Sequence, residues 1–521
     1  MAPAEAPAPS IRVVTFRERP TVFTVPFRRW VFPVGLFGGS LAVLLLRWLV
    51  PGPIGAADNG DGSRILCQLG ANEPDRISER WVRMAYRPSP PCHSGYVSTQ
   101  TWLDRAAQRL GHLLGSSDAL NLYVLGALSC LLVAAAVTML ALALPLSRRG
   151  RTVAAGLLLL ALADSAVFGW FVSVLSEGAA ILGVTVMAGG LLLIQRADRW
   201  RYVGAVVLAV GSVVAINAKA QTLLLLPVLA LALLVTQKAG RTRLVRWALP
   251  VLVLVATAGA TLLIQRSGDP AGQEYEQINA YHSIFNSIVR KGSAQADLAE
   301  LGLPASWAKY QGTTWWGPRP CAYTDPAWPQ YADRISRHTV LSFYEHHPVR
   351  TLQILNAGAR DLLTARPENI GSFPEGSGAP AEAQEFRVPV LSGVARLLAP
   401  LGLFALVPIW LLVAAAGVAS WRRARPVAVV VLFLVLAAVD QHAVAALGEG
   451  IEGVKHQVIA LFCTFLGAML GVVALLARRG AAHPGAPSPA SDPDAGARYG
   501  RATFARERVQ EPQAGVPHAH S

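Results

Sequence analysis

The sequence predicts an all-α integral membrane protein of about ten transmembrane helices, with two large extracytoplasmic loops that contain helices of their own. Three observations carry that prediction. The 521 residues are 53% apolar and only 15% charged, with a mean hydropathy of +0.40, against about 25% charged residues in soluble domains. Apolar runs recur along the chain, most of them near the roughly 20 residues that cross a ~30 Å hydrocarbon core as helix. Arginine clusters adjoin alternate runs, the pattern of loops retained on the cytoplasmic side.

Taken in order, residues 1–30 form a cytoplasmic N-terminal segment. The first run starts near residue 31 and is too long for the apolar core of a signal peptide, so it reads as an uncleaved first span. Spans are expected at 31–50, 119–146, 152–168, 178–195, 202–217, 221–237, 246–265, 397–420, 426–444 and 457–477. Residues 31–265 therefore hold helices one to seven, with a first extracytoplasmic loop at 51–118. Residues 266–396 form a large loop subdomain, and 397–477 hold the last three helices. The Ala-, Pro-, Gly- and Ser-rich stretch 478–521 reads as a disordered cytoplasmic tail. An even number of spans puts both termini on one side. RRGR (148–151), RADRWR (196–201), KAGRTRLVR (238–246) and WRRAR (421–425) all fall on that side, whereas the short loops of the other face carry only Lys219 and Lys455. Within the large loop, 332–363 reads as two helices broken at Pro348, a residue favoured in the first helical turn. Its leucines recur at near-helical spacing, so it lies on the membrane surface or against the bundle.

The formal charge of +14 comes almost wholly from Arg, since the chain has five Lys. Most of these arginines flank spans and do not interleave with aromatics, which excludes nucleic acid as a partner. Arg over Lys together with abundant Ala suggests a high-GC genome. There is no GxxxxGK[ST], HExxH, CxxC or GxSxG motif, and no internal repeat of the kind that builds many transporters. Cys130 and Cys463 lie in apolar runs as small buried thiols. Cys67 and Cys92 both fall in the first outer loop, where a disulfide is permitted, and Cys321 is the odd one. The histidines lack metal-ligand spacing, so no cofactor is implied and a divalent metal has no ligand set behind it.

Ionisable residues in or beside membrane spans are costly and mark functional sites. They gather on one face. Asp58, Asp61 and Arg64 follow the first span; Asp164 and Glu177 flank the turn after the third; Lys219 and Gln221 sit in the short turn after the fifth; Lys455 and His456 lie in the last outer turn. His282, Arg290, His346 and His347 come from the large loop. Acids and cations on one side suit group transfer from a lipid-linked phosphate. A carboxylate takes the acceptor hydroxyl's proton, and cations stabilise the departing phosphate. Each residue also has a plainer reading: Asp58 and Asp61 as turn formers, Glu177 and Asp164 as helix-end or intrabundle partners, Lys219 as a snorkelling anchor, and His346 and His347 as helix C-terminal groups. Trp315 and Trp316 stack on sugar or sit in the interfacial aromatic belt.

On these residues the chain resembles the multi-pass GT-C glycosyltransferases, and within them the WsfD-type glycan-biosynthesis hexose transferases and their actinobacterial relatives. The resemblance rests on Asn59-Gly60-Asp61-x-x-Arg64 after the first span, Ser176-Glu177, Lys219 to Gln221, YHSIF (281–285), LGLPASWAKYQGT (301–313), FYEHHP (343–348) and EGVKH (452–456). It implies a GT-C-like fold, an acid in the first outer loop acting as base, a polyprenyl-phosphate-sugar donor and inversion at the anomeric carbon. Asp61 matches the family base. Asp58 is a departure that leaves open which carboxylate acts, and Gly62 stands where a bulky residue is usual. On this reading Asp61 or Asp58 is catalytic, with Arg64, Lys219, Lys455, His456 and Arg290 holding the donor phosphate. Glu177, Asp164, Gln221, His282, His346 and His347 line the substrate site. The partners are the lipid bilayer, the polyprenyl-phosphate-linked donor and a cell-envelope glycan or lipid acceptor at the plasma membrane. Two alternatives are a flippase or transporter of lipid-linked sugars, and an envelope glycan polymerase or ligase using a diphosphate-linked donor.

Overall fold

The apolar runs fold as helices stacked side by side. The computed structural model describes residues 28–72, 80–92, 95–236, 243–266, 272–289, 293–317 and 319–480. The expected tail beyond 480 and Arg290 lie outside the described residues. Among those described, six helices are long and apolar enough to cross a membrane: Trp30–Leu49, Leu122–Ala143, Glu177–Ile194, Trp247–Arg266, Leu403–Gly448 and Val458–Arg478. Shorter apolar helices cover Trp200–Ile216 and Ala220–Val235, and Arg148–Leu162 adds a further helix on an expected span.

The 46-residue helix Leu403–Gly448 is two legs, as the expected spans 397–420 and 426–444 require. Ala424 leaves helical geometry at φ −136°, ψ 45°. A side chain on Gly417 would meet Val431 Cγ1 at 3.2 Å, although fourteen residues of straight helix would hold the two about 21 Å apart. The chain therefore doubles back at WRRAR.

Two expected boundaries move, each for a local reason. The span expected at 152–168 ends at Leu162, because the Asp164 carboxylate takes the Ala166 N–H at 2.9 Å and draws the chain into turns and a 3₁₀ segment, Phe168–Val172. Such local side-chain bonds compete with helix. The run expected to start at 397 splits at Gly402 (φ +55°), leaving a short helix Val390–Leu398 ahead of the hairpin. The other Asp164 oxygen accepts from the N–H groups of Leu391 (2.8 Å) and Ser392 (3.1 Å), a carboxylate at a helix N-terminus.

Helix contact in the bundle runs through glycines. Methyl groups on Gly183, Gly190, Gly204 and Gly211 would fall 2.4–2.7 Å from backbone atoms of the facing helix, between Glu177–Ile194 and Trp200–Ile216. Small residues allow this close approach where no hydrophobic drive separates lipid from helix.

On the loop side, the first connection carries a small antiparallel sheet that the all-α expectation did not contain: Ala71–Asn72, Ala85–Pro88 and Leu120–Asn121, in that order. Its strands are too short to leave a periodic signal. The amphipathic segment between its second and third strands forms the helix Gln100–Leu113. The second connection has its own aromatic core, with Trp307 stacked on Trp328 at 6.0 Å and Trp315 on Tyr323 at 4.4 Å, so Trp315 packs inward while Trp316 is exposed. Helices Arg337–His346 and Pro348–Thr364 meet at Pro348 as expected. The second packs on the bundle, where Gly358 faces Ala446.

Gly190→Val is expected to lower the Tm of the purified protein, since overpacking costs about 1–3 kcal/mol. Gly259→Val, at a position with open space around it, leaves the Tm unchanged in the same thermal unfolding experiment.

Candidate functional site

The loop after the first helix is held from both sides. Gly55 and Ala57 donate to the Ser372 and Gly371 carbonyls at 3.0 Å, and Ala56 donates to Val172 O at 3.3 Å. Asp58 then organises the turn. Its Oδ1 accepts from the Gly60 N–H at 2.9 Å and the Gly62 N–H at 2.8 Å, as short acidic side chains do in turns. Gly62 approaches so closely that a methyl group there would strike Val174 Cγ2 and the Asp58 carboxylate. That contact accounts for the glycine at this position. Burial pushes the Asp58 carboxyl up, against the two N–H bonds. Helix Ser63–Leu69 follows, and a Cys67–Cys92 disulfide (Cα–Cα 5.0 Å) ties its end to the rest of the loop. Cys130, Cys321 and Cys463 are free and buried.

This turn presents Asp61 outward, its side chain two-fifths exposed. One carboxylate oxygen binds Arg64 and the other binds Lys455, 394 residues away. Burial pushes the Asp61 carboxyl up, but Lys455 and then Arg64 outweigh it and hold it well below the usual range. The Lys455 side chain is 2% exposed. It also donates to Asn59 Oδ1 at 2.9 Å and Glu452 Oε2 at 3.1 Å, and these carboxylates hold its ammonium charged against burial. Asn59 closes the ring by donating to Glu452 Oε1 at 2.7 Å. The Arg64 guanidinium lies over Tyr96 at 4.4 Å and Tyr275 at 5.1 Å, a cation–π arrangement that steers its fork.

A second group adjoins the first. Lys219 Nζ donates to Glu177 Oε1 at 3.0 Å and to His456 Nδ1 at 3.2 Å. Burial and the two lysines push His456 well below its ordinary value, so the ring is neutral and accepts at Nδ1, with its hydrogen on Nε2 toward Glu449 at 3.7 Å. Gln221 donates to the His456 carbonyl at 3.0 Å. Among the described residues, Glu177 Oε2, Gln221 Oε1 and Gln441 Oε1 are buried with no hydrogen-bond partner.

The structure thus brings Asp58, Asp61, Arg64, Glu177, Lys219, Gln221, Lys455 and His456 to one end of the bundle, from four separate connections. The other expected residues that the structure describes, Asp164, His282, His346 and His347, make their side-chain contacts elsewhere. Asp164 is fully buried at the junction with Val390–Leu398, where it accepts from three backbone N–H groups. His282 is buried and accepts from the Trp315 N–H at 3.0 Å; burial lowers it to about 4. His346 meets the Ser342 carbonyl one turn back, and His347 pairs with Glu300 at 2.7 Å. Both occupy the C-terminal end of Arg337–His346.

Glu452 and Glu449 share the last turn with Lys455 and belong to the acids that the sequence places beside that span. Sequence reading missed two features. Tyr275 under Arg64 carried no signal. Arg47, inside the first helix, pairs with Glu385 and donates to Ala163 O at 2.8 Å, and its signal was an arginine within an apolar run.

A helical bundle with large loops and a polar cluster at one end is a polytopic membrane protein. The chain belongs to the family of the YfdI N-terminal transmembrane domain, whose family model matches residues 32–478. No curated protein matches the sequence. Two solved structures align with it distantly. One is the Archaeoglobus fulgidus oligosaccharyltransferase tethered with an acceptor peptide containing the NVT sequon (13% identity, 86% of this chain and 50% of that one, TM-score 0.40). The other is ArnT from Cupriavidus metallidurans bound to undecaprenyl phosphate (17% identity, 85% and 78%, TM-score 0.28). The chain spans about half the length of the oligosaccharyltransferase. At these TM-scores neither likeness bears on the site.

Asp58→Ala, which removes the oxygen that accepts from the Gly60 and Gly62 N–H groups, is expected to destabilise the protein by about 1–3 kcal/mol. Asp58→Asn keeps Oδ1 and is expected to stay close to wild type in thermal unfolding. Denatured without reductant, the protein should take up three alkyl groups, and with reductant five, read by intact mass.

Proposed function

We propose that the protein is an inverting membrane glycosyltransferase of GT-C type. On this reading it moves a hexose from a polyprenyl-phosphate donor to a cell-envelope glycan or glycolipid, at the extracytoplasmic face of the plasma membrane. The observation that carries this is the convergence of the partly exposed Asp61 carboxylate with Arg64, Lys455 and Lys219 at one end of the bundle. The finer likeness to WsfD-type hexose transferases, and an actinobacterial source, belong to this proposal.

Asp61 takes the acceptor hydroxyl's proton as that oxygen bonds to the anomeric carbon. The bond from that carbon to the phosphate oxygen breaks on the opposite side, and its electron pair leaves with the polyprenyl phosphate. The added negative charge on the phosphate falls to Lys455 and Arg64, with Lys219 behind them. In the resting protein both Asp61 oxygens are bound to cations, which makes the carboxylate a weak base. A phosphate that draws Lys455 and Arg64 toward itself returns basicity to Asp61, so donor binding arms the base. Asp58, bound to two backbone N–H groups, shapes the loop.

In proteoliposomes supplied with polyprenyl-phosphate hexose, Asp61→Asn is expected to lower kcat by about 10²–10⁴-fold, the usual share of a general base, and to lower the Tm while the protein still folds, because Lys455 keeps Glu452 but loses one carboxylate. Lys219→Ala is expected to raise the KM for donor more than for acceptor. Full turnover by Asp61→Asn defeats the assignment, and a diphosphate-linked donor used in preference to the monophosphate favours a polymerase or ligase instead.

A further inference from the structure

A cavity of about 380 Å³ lies beside the turn that carries Lys455, between residues 452–455 and the stretch 361–370 that ends the helix Pro348–Thr364. Its wall holds two cations, and both are already engaged. Arg366 is bound to the Glu385 carbonyl and to Ser372 Oγ, and Lys455 is bound to Asn59, Asp61 and Glu452. The rest of its polar lining carries the carboxylates of Asp361, Glu368 and Glu452, the last bound at both oxygens by Asn59 and Lys455, and the amide of Asn369. Such a wall repels a phosphate and suits a ligand that brings hydroxyl donors. Pro367, Ile370 and Val454 supply an apolar side. Glu368 and Asn369 are exposed, which puts the mouth of the cavity at the loop surface.

A pyranose has this character: a rim of hydroxyls, an apolar C–H face and no charge. We propose that the cavity seats a pyranose ring, hydrogen-bonded by Glu368 and Asn369 and packed on Pro367 and Ile370. The inference deepens the transferase reading and rests on it for the source of the ring. Lys455 lines the cavity and also binds Asp61, so a ring seated there is one side chain from the proposed base. The phosphate and the sugar then occupy opposite sides of the 452–455 turn, sorted by the charge each wall offers.

The test is saturation-transfer NMR on the purified full chain with methyl glucopyranoside, methyl galactopyranoside and methyl mannopyranoside, and with inorganic phosphate as competitor. At least one pyranoside is expected to bind. Thr364→Trp, which fills the cavity, and Glu368→Ala, at its exposed rim, should each weaken binding at least tenfold, and phosphate should not compete. No binding by any of the three, equal binding in both variants, or displacement by phosphate overturns the proposal. Loss of the transferase reading would appear as retained turnover in Asp61→Asn, a separate result from loss of the sugar site. In the transfer assay, Thr364→Trp raising the KM for acceptor assigns the ring to the acceptor. A raised KM for donor assigns it to the donor hexose. Neither KM rising overturns the proposal.

Discussion

The arrangement at the loop end depends on one buried ammonium. Lys455 is almost wholly removed from solvent, and an uncompensated charge at that depth costs several kcal/mol. Asn59, Asp61 and Glu452 supply the compensation, which fastens the first connection of the chain to the last. The same demand bends the backbone. Glu452 adopts φ +51°, a conformation that costs a non-glycine residue of order 1–3 kcal/mol. Its two carboxylate oxygens are held by Asn59 and Lys455, so the strain is offset by the bonds it makes possible. Gly450, at φ +70°, lies against the His282 carbonyl with no room for a side chain, and this fixes where the turn sits over the large loop.

Such a ring of charges holds its shape only if the helices beneath it do. Glu177 and Lys219 stand at the loop ends of two helices whose backbones touch along four glycines. A spacing set by backbone contact leaves little freedom for the ion pair above it. The hairpin at Ala424 brings its second leg back to the loop side, where it delivers Gln441 and then the turn with Lys455. Asp58 and Gly62 do the same work for the first loop. Their contact forces Asp61 outward while Asp58 stays buried, so two carboxylates three residues apart end in opposite environments.

Much of this was legible in the sequence, and the reason is the membrane. Apolar runs and arginine clusters fix which polar residues share a face, so Asp61, Glu177, Lys219, Gln221, Lys455 and His456 could be grouped without any knowledge of packing. What a face assignment cannot supply is position around the bundle. Asp164 and His347 satisfied the same rule, yet one holds the end of Val390–Leu398 and the other pairs with Glu300. The helix ends at Leu162 and Gly402 escaped hydropathy because a side-chain bond and a left-handed glycine decide them, while the neighbouring residues remain apolar. The small sheet escaped because strands of two to four residues have no period to read.

The choice between Asp58 and Asp61, open on sequence, turns on where each carboxylate sits. Asp58 has one oxygen bound by two N–H groups and the other buried with no partner among the described residues, so an incoming hydroxyl has no path to it. Asp61 is partly exposed but bound at both oxygens by cations. Under the proposed function that pairing is a resting state. A lipid phosphate carries the same kind of oxygen as a carboxylate and competes for the same donors, and Arg64 and Lys455 are the donors nearest both. Binding of the phosphate and release of the carboxylate then become one exchange, in which no cation is left buried without an anion. Proton abstraction follows only when the donor is in place, which guards the activated sugar from an already basic site.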